Sequence, residues 1–296
     1  MTKIAAITKP GFADEENSAA AVSDDGAGAQ IQPRSPSAAV PNASPLLLGW
    51  FTWYARRYIR RHFHSLRISR SGSAPGFRGQ PLVIYSNHAS WWDPLVCLVL
   101  KAHQFPERRA FTPIDAAALE RYGILRRVGF FPVEQRTARG AVQFLRTATV
   151  VLQSPRNILA ITPQSRFADV RERPVHFEGG LGLLATRVAD VVFVPFAAEY
   201  VFWEERLPEI LVRFGEAVAV KTKTGSDKSP AEWTKLFEAK MQENQDTLAA
   251  EVQRRDSEGF QVVLRGGAGQ GGIYDWGRSV VARLRGKTFQ REHGQR

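Results

Sequence analysis

Strand-like and helix-like segments alternate along the middle of this 296-residue chain, and this alternation constrains the fold more than any other feature. Short runs rich in β-branched and aromatic residues alternate with stretches that have the apolar spacing of helices. The predicted strands cover 66–69, 82–85, 110–112, 130–133, 158–162, 191–197 and 210–214. The predicted helices between them cover 92–103, 116–127, 137–153 and 179–188. This order predicts an α/β fold with a mixed, largely parallel β-sheet flanked by helices.

Composition changes near both ends of the chain and suggests the domain boundaries. Residues 1–43 are rich in Ala, Ser, Pro, Gly and Asp and carry few large apolar groups, which predicts a disordered tail. The main domain is expected over 64–260, and its last long helix begins at a capping box formed by Ser229 and Glu232. Residues 261–296 are interpreted as a glycine-rich linker and a basic C-terminal tail.

An amphipathic helix is predicted over 44–63, before the main domain. Ser44 is a favourable N-cap, and Pro45 suits the first helical position. Leucines and aromatic residues follow, and then arginines become dense at Arg56, Arg57, Arg60, Arg61, Arg67 and Arg70. Aromatic side chains beside clustered arginines favour a helix that lies in a membrane interface. The alternative is an ordinary amphipathic helix packed on the domain with a solvated basic face.

Charge and composition narrow the classes of partner. The net charge of +11 and the pI near 10.1 suit a polyanion, either nucleic acid or an anionic membrane surface. The sequence has no zinc-finger spacing and no ribonucleoprotein-type aromatic motif, so the membrane is favoured and no nucleic-acid partner is expected. Because the chain shows neither a signal peptide nor a spanning segment, we expect a peripheral or monotopic protein on the cytoplasmic face. The single Cys97 also fits a reducing compartment.

One short motif carries the strongest indication of chemistry. The strand-like run 81–85 leads directly into Asn-His-Ala-Ser-Trp-Trp-Asp, in which Asp93 follows His88 by five positions. A histidine acts as a general base on an alcohol when one ring nitrogen faces the hydroxyl and an acceptor holds the other. If the chain turns from strand to helix here, Asp93 can be that acceptor. The structural alternative is a histidine at a strand end, with Asp93 as a first-turn acid favoured by the helix dipole.

The motif resembles the first signature block of the glycerolipid acyltransferases, the lysophosphatidic acid acyltransferase family. The resemblance covers about residues 64–220 and includes further blocks in the family's order. The stretch Val-Gly-Phe-Phe-Pro-Val-Glu-Gln-Arg, which ends at Arg136, is similar to the second block. By this resemblance Arg136 would hold the phosphate of the acyl acceptor, a role that suits a planar guanidinium.

The third block departs from the family pattern. The family usually shows Pro-Glu-Gly followed shortly by arginine, whereas this chain has Pro163, Gln164, Ser165 and Arg166. Gln164 keeps hydrogen-bonding capacity without the charge, and Ser165 adds bulk where glycine is usual. The resemblance implies that Gln164, Ser165 and Arg166 contact the substrate and tune the choice of acceptor. A plain strand-to-loop turn with polar capping is the alternative.

Taken together, the resemblance implies a membrane-associated O-acyltransferase. It would move a fatty acyl group from acyl-coenzyme A or an acyl-carrier protein to a hydroxyl of a lysophospholipid, by default lysophosphatidic acid. His88 would be the general base and Asp93 would orient it, while the substrate's own hydroxyl would be the nucleophile. No cofactor or metal is expected, since no His, Cys or carboxylate cluster has zinc spacing.

Two other interpretations remain open. The altered third block makes an acceptor without phosphate plausible, such as an aminolipid, a glycolipid or a pigment hydroxyl. A non-catalytic relative that only binds membranes, or a basic protein that binds nucleic acid, is the competing class.

Overall fold

The computed structural model of the protein describes residues 40, 42–72, 76, 79–221 and 228–267, all of which belong to one compact unit. The predicted tail over 1–43 lies outside the described residues except for positions 40, 42 and 43. The predicted glycine-rich and basic segment lies outside them from residue 268 onward.

The described residues form helices and strands in alternation, with a few strands following one another directly. The helices are α1 (Pro45–His62), α2 (Asp93–Gln104), α3 (Ala116–Arg121), α4 (Ala138–Val151), α5 (Gly180–Ala185) and α6 (Pro230–Arg254). The strands are β1 (Ser65–Ser69), β2 (Leu82–Ser86), β3 (Arg109–Asp115), β4 (Phe130–Val133), β5 (Asn157–Ile161), β6 (Val191–Val201), β7 (Glu209–Phe214), β8 (Val218–Val220) and β9 (Phe260–Arg265). Two 3₁₀ helices cover Gly123–Val128 and Ser257–Gly259.

Most predicted elements are confirmed, and their boundaries follow from local sequence. The helix α1 begins where Ser44 caps it, with the Ser44 hydroxyl accepting from the backbone N–H of Leu47 at 3.5 Å. The capping box of α6 is present, because Ser229 and Glu232 each bond the other's backbone N–H. The single helix predicted over 116–127 is wrong: α3 ends at Arg121 and a 3₁₀ helix follows. Gly123 lies at that break, where a glycine weakens a continuous helix.

The strands form a nine-stranded sheet in the order β4-β3-β5-β2-β6-β7-β1-β9, and β8 pairs with β6 beside this path. The pairs β4–β3, β3–β5, β5–β2 and β2–β6 are parallel, as is β7–β1. The pairs β6–β7, β6–β8 and β1–β9 are antiparallel. The prediction of a mixed, largely parallel sheet is therefore confirmed, and the carboxyl ends of β2, β5, β3 and β4 lie at one edge.

Helices cover both faces of the sheet. On one face, α1 and α2 bury residues such as Ala55, Ile59 and Val96 against the strands. On the other face, α4, α5 and α6 bury residues such as Phe144 and Phe237. Because the central strands are buried on both sides, they read as continuous apolar runs rather than as alternating patterns. This packing fixes the edge at which β2 and its parallel neighbours end.

Two strands were not predicted from the sequence. The three-residue β8 is too short to give a periodic signal. The strand β9 runs from Phe260 to Arg265 beside β1, so the sheet extends beyond residue 260, where the sequence placed the end of the main domain. Glycines follow β9 directly, and they gave this segment the composition of a linker.

Candidate active site

Asn87 fixes the point at which the chain leaves β2. Its Nδ2–H donates to the carbonyl of Ala198 at 3.0 Å, and the N–H of Ala198 donates to its Oδ1 at 2.9 Å. The register of β2 on β6 ends at the pair Ser86 and Phe196, so the Asn87 side chain continues the ladder by one step. The backbone is therefore free to turn towards α2 while the side chain keeps it attached to β6.

The next residue, His88, forms the pair that the motif predicts. Its Nδ1 lies 2.7 Å from Oδ2 of Asp93. A carboxylate only accepts hydrogen bonds, so Nδ1 carries the hydrogen and Nε2 keeps a free lone pair. The His88 side chain is 23% exposed and that of Asp93 is 7% exposed. The imidazole thus remains reachable from outside, whereas the carboxylate that orients it is buried.

Asp93 is held by more than the histidine. The backbone N–H of Ser90 donates to its Oδ2 at 3.1 Å, and the hydroxyl of Tyr200 donates to its Oδ1 at 2.5 Å. Asp93 is also the first residue of α2, where the helix dipole favours a negative charge. The carboxylate therefore lies in the first turn of α2, where the helix dipole favours its charge, and it also orients the histidine. Both the first-turn acid and the predicted contact are present.

Sequence reasoning missed Tyr200. The residue lies 107 positions after Asp93, in a strand whose continuous apolar run indicates only packing. The available signal was a tyrosine near the end of a strand that pairs with β2. That signal has no value until the strand order is known.

The segment after β5 holds His88 from the other side. Gln164 is buried, and its Oε1 accepts from the backbone N–H of His88 at 3.2 Å. The backbone N–H of Ala168 donates to the His88 carbonyl at 2.9 Å. The Phe167 ring lies over the imidazole, with 4.2 Å between ring centroids, and yet is 59% exposed. The structure thus brings Gln164 against the predicted pair, while its contact with a substrate stays a prediction.

Ser165 and Arg166 are exposed residues of the same segment. Ser165 has φ 52°, the left-handed region in which a non-glycine residue costs about 1–2 kcal/mol. A glycine at this position would adopt the same backbone conformation without that cost. Arg166 makes a double ion pair with Glu172, in which Nη1 donates to Oε2 at 3.0 Å. These hydrogen bonds hold the pKa of Glu172 below its usual value. The substrate contacts predicted for both residues stay predictions.

Arg136 stands just beyond the carboxyl end of β4. It is exposed, with φ 60°, and nearby Arg139 lies 3.8 Å from Glu134. In the sheet, β3 and β5 lie between β4 and β2. Arg136 follows the carboxyl end of β4, and His88 follows that of β2, which is parallel to it. Within the described part of the chain, no hydrogen bond or ion pair joins Arg136 to the pair of His88 and Asp93. Its role as a phosphate ligand stays a prediction.

Two features are absent from the described residues. Within 40–267, gaps excepted, no group of three or more His, Cys, Asp or Glu side chains could hold a metal ion. Over the same residues, no helix combines the length and the apolar character that crossing a bilayer requires.

No family model matches the chain, and no curated protein matches it. Among solved structures, it is similar to the 1-acyl-sn-glycerophosphate (LPA) acyltransferase PlsC from Thermotoga maritima, with a TM-score of 0.49 and 14% sequence identity. The similarity covers 69% of this chain and 80% of that chain.

Proposed function

We propose that this protein transfers a fatty acyl group from a thioester donor to a hydroxyl of a lysophospholipid. The observation that carries the proposal is the pair of His88 and Asp93, 2.7 Å apart, at the carboxyl end of β2. A buried carboxylate holds Nδ1–H of His88, which leaves Nε2 free to accept a proton. The resemblance of residues 87–93 to the first block of the glycerolipid acyltransferases supports the same chemistry.

The reaction needs one proton carrier and no protein nucleophile. Nε2 of His88 accepts the proton of the acceptor hydroxyl while that oxygen attacks the thioester carbonyl carbon. This attack forms the new C–O bond and converts the carbonyl into the oxyanion of a tetrahedral intermediate. When the intermediate collapses, the C=O bond re-forms and the C–S bond breaks. The departing thiolate takes the proton from His88, which returns to its neutral form. Asp93 keeps the imidazole in the productive tautomer and stabilises the imidazolium between the two steps.

We assign acceptor binding to the arginines at the same edge of the sheet. Arg136 is exposed beyond β4 and would receive a phosphate, since guanidinium binds phosphate through two parallel hydrogen bonds. Arg166 lies in the segment that contacts His88 and is already paired with Glu172. A phosphate there would have to compete with that carboxylate, so Arg136 is the stronger candidate for the anionic group of lysophosphatidic acid.

We further propose that α1 attaches the protein to an anionic membrane surface. The first half of its outer face exposes Leu46 at 88%, Trp50 at 53% and Trp53 at 59%. The second half exposes four arginines, Arg56, Arg57, Arg60 and Arg61. Apolar and basic groups thus follow one another along about 27 Å of helix. This order suits a helix whose first turns enter the apolar layer while its arginines reach the phosphates of the headgroups.

The decisive experiment is an acyl-transfer assay with radiolabelled acyl-coenzyme A and acyl-carrier protein. The acceptor panel contains lysophosphatidic acid, other lysophospholipids, aminolipids and glycolipids, and products are separated by thin-layer chromatography. Wild type is compared with His88→Ala and with His103→Ala, an exposed histidine near the end of α2. We expect a product with wild type and with His103→Ala and none above background with His88→Ala.

The outcomes separate the alternatives. A product only on phosphate-bearing acceptors supports the lysophospholipid assignment. A product only on neutral or amine-bearing acceptors keeps the acyl transfer and overturns the acceptor. If no acceptor gives a product with wild type, or if His88→Ala is as active as wild type, the proposed reaction is wrong.

Membrane binding is tested by sedimentation with vesicles. Replacing Arg57 and Arg61 together by Gln should weaken binding to anionic vesicles by roughly 30-fold, since each arginine near such a surface contributes about 1 kcal/mol. Leu46→Ser with Trp53→Ser should weaken binding to all vesicles, whereas Val142→Ser, an exposed apolar residue of α4, should have no effect. Tight salt-dependent retention on a DNA or RNA column with no vesicle binding would favour the nucleic-acid alternative.

A further inference from the structure

Both oxygens of the Asp93 carboxylate accept hydrogen bonds, and one of them accepts from a residue outside the motif. Oδ2 accepts from Nδ1 of His88 at 2.7 Å and from the backbone N–H of Ser90 at 3.1 Å. Oδ1 accepts from the Tyr200 hydroxyl at 2.5 Å. A carboxylate with only one oxygen anchored can rotate about its Cβ–Cγ bond. With donors on both oxygens, its plane is fixed relative to the imidazole.

Tyr200 is held where its hydroxyl must meet Asp93. Its ring lies 5.9 Å from that of Phe63, measured between centroids, and packs with the buried cluster beneath α1 and α2. Ala198, two residues earlier on β6, is the residue that the Asn87 side chain clamps through two hydrogen bonds. Residues two apart on a strand share a face. The clamp therefore fixes Tyr200 relative to the turn that bears His88.

The Tyr200 hydroxyl donates at every pH at which an enzyme works. Burial raises its pKa well above the usual range, and the neighbouring charge of Asp93 raises the pKa further. The hydroxyl therefore keeps its hydrogen, and Oδ1 of Asp93 has a permanent donor. A histidine or carboxylic acid in that position would change its donor capacity with pH.

We infer that Tyr200 is a positioning residue that acts through Asp93 to hold His88 in the tautomer with hydrogen on Nδ1. The inference rests on the proposed function as far as it concerns rate. As far as it concerns the tautomer of His88, it stands on the hydrogen bonds alone.

The test combines kinetics with histidine NMR on Tyr200→Phe, which keeps the ring and removes only the hydroxyl. We expect kcat to fall by about 10- to 100-fold, the range for a lost hydrogen bond to a charged group, with KM for both substrates unchanged. In ¹⁵N-histidine spectra, neutral His88 of the wild type should carry its hydrogen on Nδ1, and the variant should show a mixture of both tautomers. Tyr58→Phe is the matched control, since the Tyr58 ring packs 5.3 Å from that of Trp92, the neighbour of Asp93.

The kinetic assay and the NMR measurement test different statements, so either one can give a negative result without the other. If no substrate reacts with wild type, the proposed function is wrong, but the tautomer measurement still tests Tyr200. An Nε2–H tautomer in the wild type would overturn the inference without any variant. A Tyr200→Phe protein with the wild-type tautomer and with kcat within threefold of wild type would also overturn it. Circular dichroism and thermal unfolding establish that both variants are folded.

Discussion

The polar side chains of the turn 87–93 and the charged side chains of the segment 165–172 lie at the same edge of the sheet and are held in opposite ways. In the turn, Asn87 bonds β6 and Asp93 bonds Tyr200, so buried partners far along the chain fix each side chain. In the segment, Arg166 pairs with Glu172 and Arg171 with Asp169, over a few residues and in solvent. Buried polar contacts become costly when one partner is lost, whereas exposed ion pairs contribute little.

This difference separates two tasks. Proton transfer requires fixed distances, which the buried, cross-bonded turn provides. Under the proposed function, recognition of an acceptor requires charge that can be redirected, and the exposed arginines are the groups that would supply it. We therefore expect substitutions in the turn to change kcat and stability, and substitutions in the exposed segments to change KM.

The largest effect is expected for Asp93→Asn. Asp93 accepts hydrogen bonds on both oxygens, whereas an amide has only one acceptor oxygen and no charge to stabilise an imidazolium, so kcat should fall by about 10⁴-fold. Asp169→Asn, an exposed acid paired with Arg171, is the control and should leave kcat unchanged. The assay is acyl transfer under saturating substrate. A fall in kcat of less than tenfold for Asp93→Asn would contradict the idea that the buried contacts of the turn determine the rate of the chemical step.

Asn87→Ala should come next, with a loss of about 2–3 kcal/mol in the free energy of unfolding and a lower kcat. The substitution leaves the buried N–H and carbonyl of Ala198 without their partner. The matched control is Asn157→Ala at the start of β5, where the buried amide donates to the Val151 carbonyl at 2.8 Å. Urea unfolding should show a loss for both variants, but only Asn87→Ala should lower kcat. Equal kcat values would mean that the clamp serves stability alone.

Glu199, which faces away from Tyr200 on β6, shows that the pKa of a buried acid and that of an exposed acid shift in opposite directions. Burial raises its pKa to about 7, whereas the exposed pair with Arg166 lowers that of Glu172. The folded state keeps the Glu199 proton that the unfolded chain loses near pH 4.5, so stability falls as pH rises from about 4.5 to 7. Glu199→Gln should therefore stabilise the protein by about 3 kcal/mol at pH 8 and by less than about 1 kcal/mol at pH 5, since one pKa unit corresponds to about 1.4 kcal/mol. A gain independent of pH in urea unfolding would contradict this reasoning.

Arg136→Gln is expected to act on binding alone. We expect KM for lysophosphatidic acid to rise by about tenfold while kcat and KM for the acyl donor stay the same, since one guanidinium–phosphate contact is lost. Arg139→Gln, one turn further along and near Glu134, is the control. A fall in kcat with unchanged KM would mean that Arg136 acts on the chemical step, like the residues of the turn, and not on acceptor binding.

The smallest effect is expected for Glu172→Gln. Removing this acid frees Arg166, so KM for anionic acceptors should fall by about twofold, with the midpoint of thermal unfolding unchanged. Glu216→Gln, which removes an exposed acid paired with Lys240, is the control. If Glu172→Gln unfolds at a clearly lower temperature, the segment is more strongly held than its exposed pairs indicate.

Much of the fold could be predicted because it depends on local signals. The N-caps Ser44 and Ser229 and the apolar runs of the central strands mark their elements in the sequence alone. The break after Arg121 was missed because one glycine had to be weighed against a good helical pattern. β9 was missed because the glycines beside it resemble a linker.

For the candidate site, the sequence predicted the contact within the motif but not the contacts around it. His88 and Asp93 are five positions apart, so a strand-to-helix turn is sufficient to join them. Tyr200 and Gln164 reach the same turn only because β6 and β5 are the neighbours of β2. Strand order results from packing of the whole chain, and no local pattern in one sequence encodes it.

The junction at the start of α1 has a consequence for how a lipid would arrive. The backbone N–H of Ser44 donates to the Arg127 carbonyl at 2.7 Å, and only β4, about 13 Å of strand, separates that junction from the loop that bears Arg136. If α1 enters a bilayer by its first turns, the leaflet surface lies about one strand length from this loop. An acceptor would then reach the enzyme by lateral diffusion, in two dimensions. Turnover would follow the mole fraction of acceptor in the leaflet and not its bulk concentration.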